Sequence, residues 1–209
     1  MNELTRLVSH KIPFPQGYHN FVDKRTFGGI PNFMNIVSNL AIALPAFYLM
    51  KKQKKISFLS INILLLAITS ALYHVNPNNN TIFLDMLFVM SINTVVLSYF
   101  VNKQVGNFIF ILGILSVFYW KKYDDLRFYE FLKIAIPVYA IFMIYKNPKV
   151  NHYIFPVIIL TILIRVSEYN DKAIYKLTGG TISGHTLKHI FAALDIYLII
   201  IILEKLGKV

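Results

Sequence analysis

Of 209 residues, 56% are hydrophobic and only 15% charged, and the mean hydropathy of +0.56 is more than one water-soluble core can hide. The absence of cysteine excludes a disulfide framework and any thiolate nucleophile or ligand. The net charge of +11 sits in short links and beside apolar runs without a basic aromatic stripe, so anionic lipid headgroups, not nucleic acid, are the expected contact.

Residues 1–30 carry Pro13, Pro15, His10, His19, Lys11, Lys24 and Arg25 but no continuous apolar segment. They read as an extramembrane or interfacial arm with no cleavable signal peptide, leaving the first helix to target the chain. Seven apolar runs follow, at 31–50, 56–75, 81–101, 105–120, 129–145, 152–166 and 186–206. Helices of that size cross a hydrocarbon layer about 30 Å thick. The expected fold is therefore all-α: one domain, 1–209, forming a polytopic seven-transmembrane-helix bundle. If the lysines of "KKQKK" (51–55) face the cytoplasm, the amino terminus lies outside and the carboxyl terminus inside, although Lys and Arg are nearly balanced over all links.

Run one opens with Pro31, suited to a first helical turn, after Gly28 and Gly29. Asn32, Asn35 and Asn39 fall at i, i+3 and i+7 and share a face. Two readings stand: amide-mediated helix packing, or support for a metal site. Run two ends in "SALYH", where Ser70 and His74, four apart, project from one face. The short "VNPNNN" link makes run three an antiparallel neighbour, placing Asp85 in its first turn or so at the same depth. Run seven opens with "SGHTLKHI", whose His185 and His189 again share a face. Lys188 points to another part of that helix, and Asp195 lies far round from the histidines. His10, His19 and His152 have no partner at useful spacing and read as interfacial.

Charged and imidazole groups at membrane depth commonly cost around 2.5 to 3.5 kcal/mol each, so they call for a reason. The end of run two, the start of run three and the start of run seven are separated by even numbers of crossings. Ser70, His74, Asp85, His185 and His189 therefore occupy one leaflet, whichever side that is. Three histidines at one depth make a natural Zn²⁺ ligand set with a fourth position left for water. An open site of that kind lowers the pKa of its water toward about 7. Asp85 is then a candidate general base and acid, and the Ser70 hydroxyl a donor to an oxyanion. Taken singly, each residue has a plainer reading: an interfacial histidine pair, a packing serine, an aspartate at the positive end of a helix.

"RTFGGIPNFMNIVSNL", "SALYHVNPNNNTIFLD" and "YKLTGGTISGHTLKHIFAALDIY" together resemble the alkaline ceramidase family, especially its bacterial-type ceramidase-domain members. That family stands within a superfamily of seven-helix membrane hydrolases that includes the adiponectin receptors. The resemblance implies an intramembrane zinc amidase that cleaves the N-acyl bond of ceramide, releasing a fatty acid and a sphingoid base. It implies His74, His185 and His189 as zinc ligands, Ser70 as the residue polarising the carbonyl and Asp85 as the acid/base, with Asn35 in a supporting role. Two departures stand out. The acidic, calcium-binding segment of eukaryotic members is represented only by Asp23, with Asn32 where they carry a carboxylate, which puts calcium dependence in doubt. "MLFVMS" after Asp85 lacks the Leu-Pro of many relatives, which puts ceramide itself in doubt and widens the expected substrate to related N-acyl lipids. The alternative is a seven-helix lipid-sensing receptor with structural zinc; a proton-relay transporter finds neither internal duplication nor paired broken helices.

Overall fold

The computed structural model describes residues 11–209, so the expectation for His10 lies outside the described residues. The helices are α1 (Phe33–Val37), α2 (Asn39–Gln53), α3 (Phe58–Val75), α4 (Thr81–Ser98), α5 (Lys103–Tyr123), α6 (Arg127–Lys146), α7 (Ile154–Tyr169), α8 (Asp171–Leu177) and α9 (Gly184–Lys205). Among the described residues, seven spans are long and apolar enough to cross a membrane: α1 with α2, then α3, α4, α5, α6, α7 with its preceding turn, and α9. Large apolar side chains such as Leu44, Phe47, Phe108, Phe131 and Phe155 face outward along them. Water would penalise that belt, whereas lipid chains accept it.

Local chemistry sets the helix ends. Ser57 and Ser60 form a reciprocal capping box at the start of α3, with Ser60 N donating to Ser57 Oγ at 3.2 Å and Ser57 N to Ser60 Oγ at 2.9 Å. Asn102 caps α5 by accepting from Val105 N at 2.9 Å. One expectation needs correcting. The first span is not one continuous helix but turns at Ser38, whose hydroxyl bonds back to the Asn35 carbonyl at 3.0 Å; serine back-bonding of this kind bends helices. The last link contains the short helix α8.

The spans close into a ring in which α9 packs on both α7 and α2, α2 on α3, α3 on α4, α4 on α6 and α6 on α7; α5 packs outside against α4 and α6. First and last spans are thus neighbours. Small and polar residues allow the close approaches: a Cβ on Gly113 of α5 would stand 2.6 Å from Thr94 Cγ2 of α4, and Ser91 of α4 donates to Asn62 Oδ1 of α3 at 2.6 Å.

Residues 11–30 fold over the end of the bundle where α3 finishes and α9 begins. Phe14 and Phe21 are buried, and Ile12 N and Phe14 N donate to Asp125 Oδ1 and Asp124 Oδ1, each at 3.2 Å. Arg127, hydrogen-bonded to Asp125, holds that carboxyl well below the usual carboxylate range. His19 is not an unpartnered interfacial residue: its Nδ1 meets Tyr73 Oη at 3.0 Å and its Nε2 meets Asn79 Oδ1 at 2.8 Å. Spacing along the chain could not show this, since both partners lie more than fifty residues away.

Candidate metal centre

The last turn of α3 supplies His74 and the first two turns of α9 supply His185 and His189, all three buried. Their ring centroids form a nearly equilateral triangle with sides of 4.8, 4.9 and 5.0 Å. One ring nitrogen from each can be chosen so that all three lie within 4.8 Å of one another. The Nε2 atoms of His74 and His189 stand 3.4 Å apart. Two imidazoles on one tetrahedral ion, with bonds of about 2.0 to 2.1 Å, place their nitrogens about 3.4 Å apart. The pair already has the spacing that shared coordination demands.

The donor chemistry also fits. His185 Nε2 is buried without a hydrogen-bond partner among the described residues, a costly condition for an imidazole at membrane depth that a bound cation would relieve. Phe21 from the arm covers the triangle, its ring 4.6 Å from that of His74 and 5.0 Å from that of His185.

The start of α9 is fixed from three directions. Ser183 caps it, accepting from Thr186 N at 3.0 Å. Asp171 Oδ1, from α8, accepts from His185 N at 2.8 Å. Asn35 Oδ1 accepts from the hydroxyls of Ser183 at 3.2 Å and Thr186 at 3.0 Å. Gly184 lets this turn press on α7, since a Cβ there would stand 2.1 Å from the Ser167 carbonyl oxygen. Of the three asparagines on the first-span face, Asn35 therefore anchors the turn bearing His185, and Asn32 reaches the other ligand helix, donating to the His74 carbonyl at 2.9 Å. Among the described residues, Asn39 bonds only within its own span, to the carbonyls of Asn35 and Ile36.

Ser38, which periodicity in the sequence does not single out, completes the arrangement. Its Oγ donates to the Asn35 carbonyl at 3.0 Å and lies 2.7 Å from His189 Nδ1. A hydroxyl has one proton, so with that proton on the carbonyl, Nδ1 is the donor to Oγ. The His189 tautomer that results carries its lone pair on Nε2, the atom facing His74.

Ser70 and Asp85 interact with each other, and with His189 they line a cavity of about 400 Å³ bounded mainly by α4, α6, α7 and α9. Two residues set aside on sequence grounds belong here as well. Lys188 donates to Glu168 Oε1 at 2.9 Å and to Tyr18 Oη at 3.1 Å, while Tyr18 donates to the same carboxylate oxygen at 2.5 Å; all three line the cavity, as does Asp195. A readable signal existed: Lys188, Ala192 and Asp195 recur at i, i+4 and i+7, which makes a second stripe on α9 beside the histidine stripe. His152, by contrast, stands away from the site in the turn before α7, its ring tilted against that of Tyr153.

Fold and site together define a seven-helix membrane bundle with a buried three-histidine group able to hold a metal ion. No protein-family model matches the sequence, and no curated protein or solved structure matches it.

Proposed function

We propose that this protein is a zinc-dependent intramembrane amidase that hydrolyses the N-acyl bond of ceramide or a related N-acyl lipid, releasing a fatty acid and a sphingoid base or amine. The observation that carries the reading is a group of three buried imidazoles, one of which, His189, lines together with Ser70 and Asp85 a cavity whose walls include Leu66, Met86, Val89 and Ile92. The resemblance of the helix-end motifs to alkaline ceramidases agrees with it.

In this reading His74, His185 and His189 hold the ion. When bound, a divalent cation there supplies Lewis acidity, polarising a carbonyl and favouring deprotonation of water near neutral pH. Ser70 donates to the amide carbonyl oxygen as negative charge develops on it. Asp85 takes a proton from the attacking water as the O–C bond forms and delivers it to the nitrogen as the C–N bond breaks. Phe21 and the rest of the arm restrict water from above, which strengthens these polar interactions. The apolar walls supplied by Leu66, Met86, Val89 and Ile92 receive the hydrocarbon.

The test is hydrolysis of ceramides, phytoceramides and other N-acyl lipids by purified protein, with metal analysis of the same sample. Release of fatty acid that depends on both zinc and Asp85 supports the amidase. Lipid binding without turnover of any N-acyl substrate transfers the case to a lipid-sensing receptor with structural zinc.

A further inference from the structure

Below the centre the cavity does not end. It meets a second, smaller space of about 80 Å³, lined by apolar residues such as Leu59, Val96, Ile144, Val157 and Ile200. The two share Ile92, Asn93, Pro137, Thr161, Asp195 and Ile196, which form a neck between them. Asn93 comes from α4, Thr161 from α7 and Asp195 from α9. Three polar side chains from three helices thus converge in a passage that is otherwise hydrocarbon-lined.

None of the three side chains hydrogen-bonds to another described residue, and Asp195 Oδ1 is fully buried without a partner. Buried polar groups in folded proteins are paired in the great majority of cases, and an ionisable residue at membrane depth is costly enough to mark a function. Asp195 lies six residues beyond His189 on α9, about 9 Å deeper at 1.5 Å per residue. Asn93 lies eight residues beyond Asp85 on α4, about 12 Å deeper by the same measure. The ring is therefore too remote to touch the bond at the centre. It faces whatever part of a ligand extends past the neck.

We propose that Asn93, Thr161 and Asp195 form a binding site for a hydroxyl group part-way along the hydrocarbon chain of a lipid seated in the cavity. The assignment rests on the reading of the cavity as the chamber for the acyl chain. An amide and a threonine hydroxyl each donate and accept, and a carboxyl accepts; a hydroxyl, itself donor and acceptor, satisfies such a set from one atom. A charged substituent would have to be desolvated to reach this depth, whereas a neutral hydroxyl is desolvated at far lower cost. Discrimination follows from the same physics: a ligand without the hydroxyl leaves the ring unpaired, and sites built to hydrogen-bond reject analogues that lack the partner.

The test is equilibrium binding in detergent, read by displacement of a fluorescent fatty acid from the full-length protein. The probes are octadecanoic acid, its isomers with a hydroxyl beside the carboxyl or at mid-chain, and a mid-chain amine analogue. The mid-chain hydroxy acid is expected to bind about tenfold or more tighter than octadecanoic acid, the equivalent of one or two net hydrogen bonds. Asp195→Leu is expected to abolish that preference while retaining octadecanoic acid binding, and Asn93→Leu to weaken it should Asp195→Leu fold poorly. Equal affinities across the isomers, a preference that survives Asp195→Leu, tighter binding of the amine, or no displacement by any probe would overturn the proposal. Hydrolysis is not read, so the binding experiment decides the matter even for a protein without amidase activity.

Discussion

Ser38 Oγ, on the first span, lies 2.7 Å from Nδ1 of His189, on the last, placed to accept its proton while donating its own to the Asn35 carbonyl. The bond joins the two ends of the helical sequence and turns one ring nitrogen toward His74. Groups in this position typically set metal affinity by 10- to 100-fold. Ser38→Ala is expected to weaken zinc binding by about that factor while leaving the site fillable at high zinc, as measured by competition with a chromophoric chelator.

The ligands and the proton-transfer residues separate in a paired measurement. His74→Ala, His185→Ala and His189→Ala should each lose bound metal together with turnover. Asp85→Asn should keep the metal and lose about 10²- to 10⁴-fold in rate, the usual range for a general acid–base, and Ser70→Ala about 10²- to 10³-fold. Full zinc content in all three histidine variants would refute the ligand set.

Gly184 precedes His185 and touches the backbone of α7 and α8 at distances no Cβ tolerates. Gly184→Ala should shift the start of α9, lower the thermal midpoint and lower zinc content even though no ligand is altered. Gly17 has open space around it, so Gly17→Ala is the matched control, expected to leave both measurements unchanged.

Acid should release the arm late. The Asp125 carboxyl is held below its ordinary value of 3.8 by Arg127, and a depressed folded-state pKa contributes stability at higher pH that is lost as pH falls through that folded value. Protection of residues 11–20 from hydrogen exchange should therefore persist at pH 4 and fail only in stronger acid. Asp125→Asn, which cannot take that charge, should loosen the same segment at neutral pH.

The spans were legible because bilayer thickness imposes a length and hydropathy that few soluble helices share: run 56–75 appears as Phe58–Val75 and run 186–206 as Gly184–Lys205. The histidine triangle was legible through parity, since counting crossings brings His74, His185 and His189 to one depth without any knowledge of packing. Ser38 was within reach of the same reasoning: it stands about 60 degrees from Asn35 at 100 degrees per residue, at the edge of the asparagine face, but a lone serine there does not announce a histidine partner. Tyr18 and Glu168 were hidden for a different reason. Their bonds to Lys188 cross from the arm and from α7, and periodicity within one helix carries no trace of such partners. Asp195 stands about 240 degrees round from His189 at 100 degrees per residue, which argues against a ligand; it does not argue against a wall of the same cavity.

The ring of helices closes only when the last span meets the first. His74 lies in the second span to be synthesised, and its two companions in the seventh. A nascent chain passing through the insertion machinery consequently has no site to fill, and on the proposed reading zinc loading becomes the final event of biogenesis. Premature truncation anywhere before residue 189 would then leave a chemically silent protein, shielding the cell's lipids from half-built copies.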